Sequence, residues 1–349
     1  MNTIIYILIT VLVIGFLTFI HEFGHYITAK NRGAYVYEFA LGMGPAIFKK
    51  KKGDTTYALR LLPIGGYVSM EGEDEESTDE NAFGRKKVWQ RIIIVAAGAI
   101  MNLILGVVIV ATILSMDDLI ATNKVLYFHE GAVSQQTGLQ ENDEILSIDG
   151  RKVWSGTDIS FLMTRSDDGI FDMTVRRDGE KVELEDVTFQ TRKEGKYTVI
   201  TYDFVILGEE PTILNVIENS FKQSASMARL VWLSLFDLVT GRYGLTDLSG
   251  PVGTVNIIAD VASSAVQSKE GLMATLNIMA FISINIGIFN LMPLPALDGG
   301  RLFFLVIEGI RRKPIKPKHE GFIHGAGLVL LLLLMLVVTF NDIVNLIRN

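Results

Sequence analysis

Four stretches of the chain stay apolar long enough to cross a hydrocarbon core of roughly 30 Å as helices. They are residues 3–20 with a continuation to Ala29, then 92–116, 272–291 and 322–340. The first is uncharged through residue 20 and is afterwards interrupted only by His21, Glu22 and His25. It lacks a basic leading region and a small-residue cleavage site, so it reads as a retained span, not a leader. After it the period changes. Thr55 to Leu62 and Tyr67 to Met70 alternate as strands do, and Pro63-Ile64-Gly65-Gly66 reads as the turn of a hairpin joining them. The acidic run Glu71 to Glu80 reads as a solvated loop. Residues 121–203 break into short strand candidates: Lys124 to Phe128, Glu144 to Ile148, Phe171 to Arg176, Lys181 to Leu184 and Tyr197 to Thr201. Asp149-Gly150 and Asp178-Gly179 supply turns, the pattern of a small separate domain. Residues 212–240 follow as a helix with Ile213, Val216, Ile217, Phe221, Met227, Leu230, Val231 and Leu235 broadly on one side. Such a helix lies on a membrane surface or packs against the soluble domain, and periodicity leaves both open.

A mean hydropathy of +0.35 agrees with a membrane protein, and the basic residues orient it. Residues 30–91 hold eleven Lys and Arg and residues 301–318 hold six, whereas residues 116–270 carry 25 Asp and Glu against 14 Lys and Arg. Loops rich in Lys and Arg stay cytoplasmic. The middle segment and both termini are therefore expected outside, in the plasma membrane of a multi-pass protein. The net charge of −7 gives no reason to expect a nucleic-acid partner. Cysteine is absent, which excludes a disulfide framework and thiolate metal ligands.

The sharpest chemical signal is His21-Glu22-Phe23-Gly24-His25. On a helix, residues i and i+4 share a face, so both imidazoles reach one ion with Glu22 beside it. Zinc accepts imidazole nitrogen and keeps a position open for water, whose pKa it lowers toward ~7. Glu22 is then the general base, and later the acid. Three ionisable groups at the end of an apolar span are costly unless function retains them. A third ligand is still needed. His129, His319 and His324 are poor candidates, the last two flanking the final span on polar ground. Asp298 is the best, in Asn290-Leu291-Met292-Pro293-Leu294-Pro295-Ala296-Leu297-Asp298-Gly299-Gly300. Pro293 and Pro295 cannot continue a helix, and the carboxylate falls at the same membrane depth as the His pair.

These residues resemble the site-2 protease family of intramembrane zinc metalloproteases, in its bacterial RseP-like branch. The resemblance covers nearly the whole chain. It includes His21-Glu22-x-x-His25, Gly42-Met43-Gly44-Pro45, Leu62-Pro63-Ile64-Gly65-Gly66-Tyr67-Val68, Asn102, Gly250-Pro251-Val252-Gly253 and Asn290-x-x-Pro293-x-Pro295-x-Leu297-Asp298-Gly299. It implies that His21, His25 and Asp298 hold Zn2+ and that a membrane-reentrant β element around Gly65, Gly66, Tyr67 and Val68 meets substrate. Asn290, with Pro293 and Pro295, is implied in substrate binding. Thr137-Gly138-Leu139, Asp143, Ile145 and Ile148-Asp149-Gly150 resemble a single PDZ module. Asn142 stands where that module has Gly, a residue type that also adopts left-handed angles. Val133-Ser134 replaces its Pro-Ala, and the Gly-Pro-x-x-Asn of the family's second span stands here as Gly98-Ala99-x-x-Asn102.

The expected fold is a polytopic α-helical membrane protein of four spans, with a membrane-reentrant β-hairpin and an inserted extracytoplasmic PDZ-like α/β domain. The segments are 1–30, 31–91, 92–116, 121–203, 204–271 (the amphipathic helix and Gly-Pro-Val-Gly), 272–312 and 322–347. The expected activity is proteolysis of single-span membrane proteins in the lipid bilayer, such as anti-sigma factors first trimmed by a site-1-type protease. Clearance of remnant signal peptides uses the same chemistry. A non-catalytic PDZ adaptor is the rival from another class, and the intact His21, Glu22, His25 and Asp298 tell against it. A metal transporter would need polar residues across the full membrane, and these spans have them near one side only.

Overall fold

The computed structural model describes residues 2–73, 75, 77–194, 197–241, 244, 250, 253, 268–315 and 317–348. The chain divides into two compact units, residues 1–109 with 233–349 and residues 110–232.

The first unit is built on long apolar helices: α1 (Asn2–Asn31), α2 (Val88–Met116), α6 (Lys269–Leu291) and α8 (Pro317–Arg348). Each contains a stretch long and apolar enough to cross a membrane, namely Thr10–Asn31, Val88–Met116, Lys269–Leu291 and Lys318–Val344. The chain is a membrane protein. α6 starts at a capped end, where Ser268 accepts the Gly271 N–H at 3.1 Å. It stops at Leu291 because Pro293 and Pro295 follow, and α7 (Asp298–Arg311) begins only after them. Glycines let the helices approach. A Cβ on Gly24 of α1 would lie 2.5 Å from the Ala97 carbonyl oxygen of α2, and one on Gly106 of α2 would lie 2.4 Å from Ile284 of α6. Lipid tails give helices no hydrophobic reason to associate, so this close packing, with the Ser283 hydroxyl donating to the Asn102 carbonyl at 2.7 Å, holds α2 to α6.

Between α1 and α2 lie two long strands, β1 (Val36–Lys52) and β2 (Thr55–Met70). The sequence pattern expected Thr55 to Leu62 and Tyr67 to Met70 to be two arms joined by Pro63 to Gly66. They are instead one strand, and the tight turn sits at Gly53-Asp54, closed by the Lys52–Thr55 pair. Pro63 to Gly66 is a bend within β2, facing a matching bend at Gly42-Met43-Gly44 in β1. Gly42, Gly44 and Gly65 all have φ between 72° and 84°, the left-handed region open to glycine. The ribbon therefore folds on itself. Residues 38–41 pair on one side with 66–69 and on the other with 56–59, while residues 46–52 pair with 55–60. Among the described residues, the segment from Gly66 to Met70 is paired on one side only.

The second unit carries a sheet in the order β10-β3-β4-β6-β7, with β5 beside β4. The strands are β3 (Ile120–Phe128), β4 (Glu144–Ile148), β5 (Arg151–Lys152), β6 (Ile170–Arg177), β7 (Glu180–Thr188) and β10 (Phe204–Glu209). β8 (Thr191–Glu194) and β9 (Tyr197–Ile200) form a separate ribbon. Asp149-Gly150 and Asp178-Gly179 both take positive φ, as two-residue hairpin turns require. Asn142 has φ 70°, the left-handed angle its residue type tolerates. Helices α3 (Val133–Gln136) and α4 (Gly156–Met163) cover a core that includes Val125, Leu139, Ile145, Ile159, Met163, Phe171 and Met173. The helix expected at 212–240 is α5 (Ile213–Val239). Its apolar residues do not share one environment: Ile213, Ile217 and Phe221 are exposed and Val231 is buried. Of the Gly-Pro-Val-Gly motif, Pro251 and Val252 lie outside the described residues.

Candidate active site

His21 and His25 stand one turn apart on α1, and Asp298 opens α7 immediately after the Pro-x-Pro break. The three meet. His21 Nε2 is 3.1 Å from Asp298 Oδ2, His25 Nε2 is 3.2 Å from the same oxygen, and the two imidazole nitrogens are 3.2 Å apart. Both histidines are buried. His25 Nδ1 donates to the Ile94 carbonyl at 2.9 Å, so Nε2 carries the lone pair. Ligands about 2.0–2.2 Å from a tetrahedral ion would be spaced much as these three atoms are. Two imidazoles and a carboxylate without a thiolate suit zinc, so the residues present fit that ion.

The packing that aims these groups is tight. A Cβ at Gly98 of α2 would lie 2.2 Å from His25 Nε2, so only glycine there leaves room for the ring. A Cβ at Gly66 would lie 2.8 Å from Glu22 Cγ and from the Ala40 carbonyl oxygen. Glu22 thus lies directly against the half-paired stretch of β2. Together they line a cavity of about 650 Å³, shared by His21, His25, Asp298, Tyr67, Val68 and Ser69. Tyr67 is held by Arg60, whose guanidinium also pairs with Glu38 at 2.6 Å.

Not every residue singled out from sequence lies here. Gly65, Asn290, Pro293 and Pro295 do not line the cavity. The Asn290 side-chain amide donates to the Ile286 carbonyl at 3.0 Å, within the last turn of α6. Gly65 forms the bend in β2 against Met43. Asn102 is fully buried, and neither atom of its amide has a partner among the described residues.

Three residues escaped the sequence reading. Glu73, Arg301 and His324 line the cavity as well. Arg301 forms an ion pair with Glu73, which joins α7 to the loop just after β2. His324 is not on polar ground beside the last span. It lies within α8, half-buried, with Nδ1 accepting the Ala296 N–H at 2.9 Å. Its spacing from the Pro-x-Pro motif carries no local periodicity, so no sequence signal marked it.

The Peptidase family M50 pattern matches residues 9–334. The chain belongs to peptidase family M50. It is a site-2-type zinc metalloprotease, and its cofactor is zinc. Regulator of sigma-W protease RasP of Bacillus subtilis is 32% identical over 415 residues, covering 95% of this chain and 97% of that protein. Zinc metalloprotease RasP of Bacillus licheniformis is 34% identical over 428 residues, covering 98% and 99%. A Clostridium perfringens protein provisionally named a zinc metalloprotease is 38% identical over 341 residues, covering 97% and 98%.

Proposed function

We propose that the chain cuts single-span membrane proteins within the bilayer, with Glu22 as its catalytic base and the Gly66–Met70 edge of β2 as its substrate platform. The observation that carries this reading is one cavity containing three converging metal-binding atoms, a carboxylate and a strand edge, on helices of membrane-spanning length.

His21 and His25 through Nε2, and Asp298 through Oδ2, would hold the zinc. When bound, the ion supplies Lewis acidity that activates water at neutral pH and polarises the scissile carbonyl. Glu22 accepts the proton of the attacking water and returns it to the leaving amide nitrogen. The platform answers a separate difficulty. A membrane helix satisfies its own backbone hydrogen bonds, so unwinding one in lipid strands those groups at several kcal/mol each. The unpaired side of Gly66, Tyr67 and Val68 offers replacement partners by strand addition, which reads main chain and not sequence. This is the sense in which β1 and β2 form a membrane-reentrant hairpin. Asn290, Pro293 and Pro295 belong to the substrate set on family resemblance alone.

The basic loops support a cytoplasmic position for residues 30–91 and 301–318, and an outer position for residues 116–270. Residues 121–203 serve there as a PDZ-like module that filters substrates by size. Val133-Ser134, standing where a peptide-binding module has Pro-Ala, supports a filter over a receptor. Substrates of this kind include anti-sigma factors already trimmed by a site-1-type protease, in line with the sigma-W role in the name of the Bacillus subtilis relative. Remnant signal peptides present the same chemistry.

The test is Glu22→Gln in purified protein. Cleavage of a single-span substrate should fall by about 10²-fold or more while zinc per chain is unchanged. Full activity in a preparation free of wild-type enzyme would remove the proposed base.

A further inference from the structure

Leu294 to Leu297 form a tight turn, closed by the Leu297 N–H donating to the Leu294 carbonyl at 3.3 Å. Pro295 occupies its second position and Ala296 its third, at φ 71°. That third position calls for glycine or asparagine, since a Cβ is crowded in the left-handed region. The next residue but one is Asp298. The chain thus carries a disfavoured conformation immediately before its third metal-binding atom, and such conformations persist only where the surroundings over-determine them.

The surroundings here are α8. His324 Nδ1 accepts the Ala296 N–H at 2.9 Å. One turn on, a Cβ at Gly327 would lie 2.2 Å from Pro295 Cβ, so α8 touches the turn backbone to ring. Gly300 gives way on the other side, since a Cβ there would come within 3.0 Å of the His324 ring. Phe304 packs against that ring at 5.8 Å between centroids. We propose that His324 is a positioning residue for the metal centre: its Nδ1 holds Ala296 in the left-handed turn that aims Asp298 at His21 and His25. The fourth span is then part of the active site, although it supplies no metal ligand. This rests on Asp298 being a ligand.

The experiment measures zinc affinity by chelator competition on the full-length protein, and kcat and KM with a single-span substrate. His324→Ala should weaken zinc by about tenfold, as loss of outer support for a ligand does, and lower kcat with KM little changed. Asparagine carries an acceptor near the position of Nδ1 and glutamine near that of Nε2. His324→Asn should therefore retain most zinc affinity and His324→Gln should not. Ala296→Gly, which relieves the strained angle, should restore part of the affinity lost in His324→Ala. Wild-type affinity in His324→Ala, or Asn no better than Gln in folded protein, overturns the proposal. If His324→Ala does not fold, the Asn and Gln pair decides alone. Asp298→Ala keeps the two questions separate: unchanged zinc there sinks the ligand assignment itself, whereas lost zinc with wild-type affinity in the His324 variants sinks only the role of His324.

Discussion

The reactive groups owe their positions to residues with no chemistry of their own. Gly98 faces His25 Nε2, the nitrogen proposed to bind zinc, with only 2.2 Å for any added Cβ. The ring cannot retreat freely because Nδ1 is tied to the Ile94 carbonyl. Gly98→Ala should therefore push Nε2 off its shared point with Asp298, at an overpacking cost of about 1–3 kcal/mol. The expected result is zinc per chain well below one after dialysis, in protein that still inserts in membranes; full zinc content would show that the helices yield instead. Gly66 makes the matching case for Glu22, whose Cγ it approaches. The His pair was legible in the sequence because three ionisable side chains at i, i+1 and i+4 interrupt an apolar run. Gly98 was legible only as part of a resemblance, since glycine is common in membrane helices and its contact is with another helix. His324 was not legible, because what it grips lies 28 residues away.

At the scale of elements, what the sequence pattern captured was each helix taken singly. The four apolar runs and the break at Pro293 and Pro295 are local facts, set by side-chain transfer energies and a missing N–H. The folded ribbon is not local. Thr55 to Met70 alternates like two strands because its bend at Pro63 to Gly66 resembles a turn, and only the pairing of β1 on both sides reveals one strand. Helix association is equally invisible in a single run, and its energy lies in close backbone approach. A Cβ on Gly287 of α6 would lie 2.8 Å from Leu103 and 2.9 Å from the Ala99 carbonyl oxygen of α2. Gly287→Leu should separate α2 from α6 and lower the thermal midpoint in detergent by several degrees, in keeping with small-residue packing between membrane helices. Gly15→Leu on α1, where an added Cβ meets nothing within 4 Å, is the control and should leave the midpoint where it was. Equal midpoints for both variants would mean that the glycine contact contributes little.

The whole molecule combines a hydrolytic site in apolar helices with an acidic unit that has its own sheet and core. The Lys and Arg bias predicts that residues 30–91 face the cytoplasm. Because the chain has no native cysteine, a single cysteine at Lys50 can be tested in intact cells with an impermeant thiol reagent. No labelling is expected there, and strong labelling at a cysteine placed at Lys181. The reverse pattern would invert the topology. The unit of residues 110–232 raises the larger question, since the chemistry itself needs none of its residues. If this unit excludes bulky outer domains, removing residues 121–203 should leave zinc content unchanged and allow cutting of substrates that keep their full outer domain. If it delivers substrates by binding them, the same deletion should slow cleavage of trimmed and untrimmed substrates alike. The sequence favours the first outcome, because Val133-Ser134 stands where a peptide-binding module has Pro-Ala. Cleavage rates for one substrate with and without its outer domain, in the intact and deleted proteins, decide between them. A deleted protein that still rejects the untrimmed substrate would place the selectivity in the first unit, at the proposed Gly66–Met70 platform on β2.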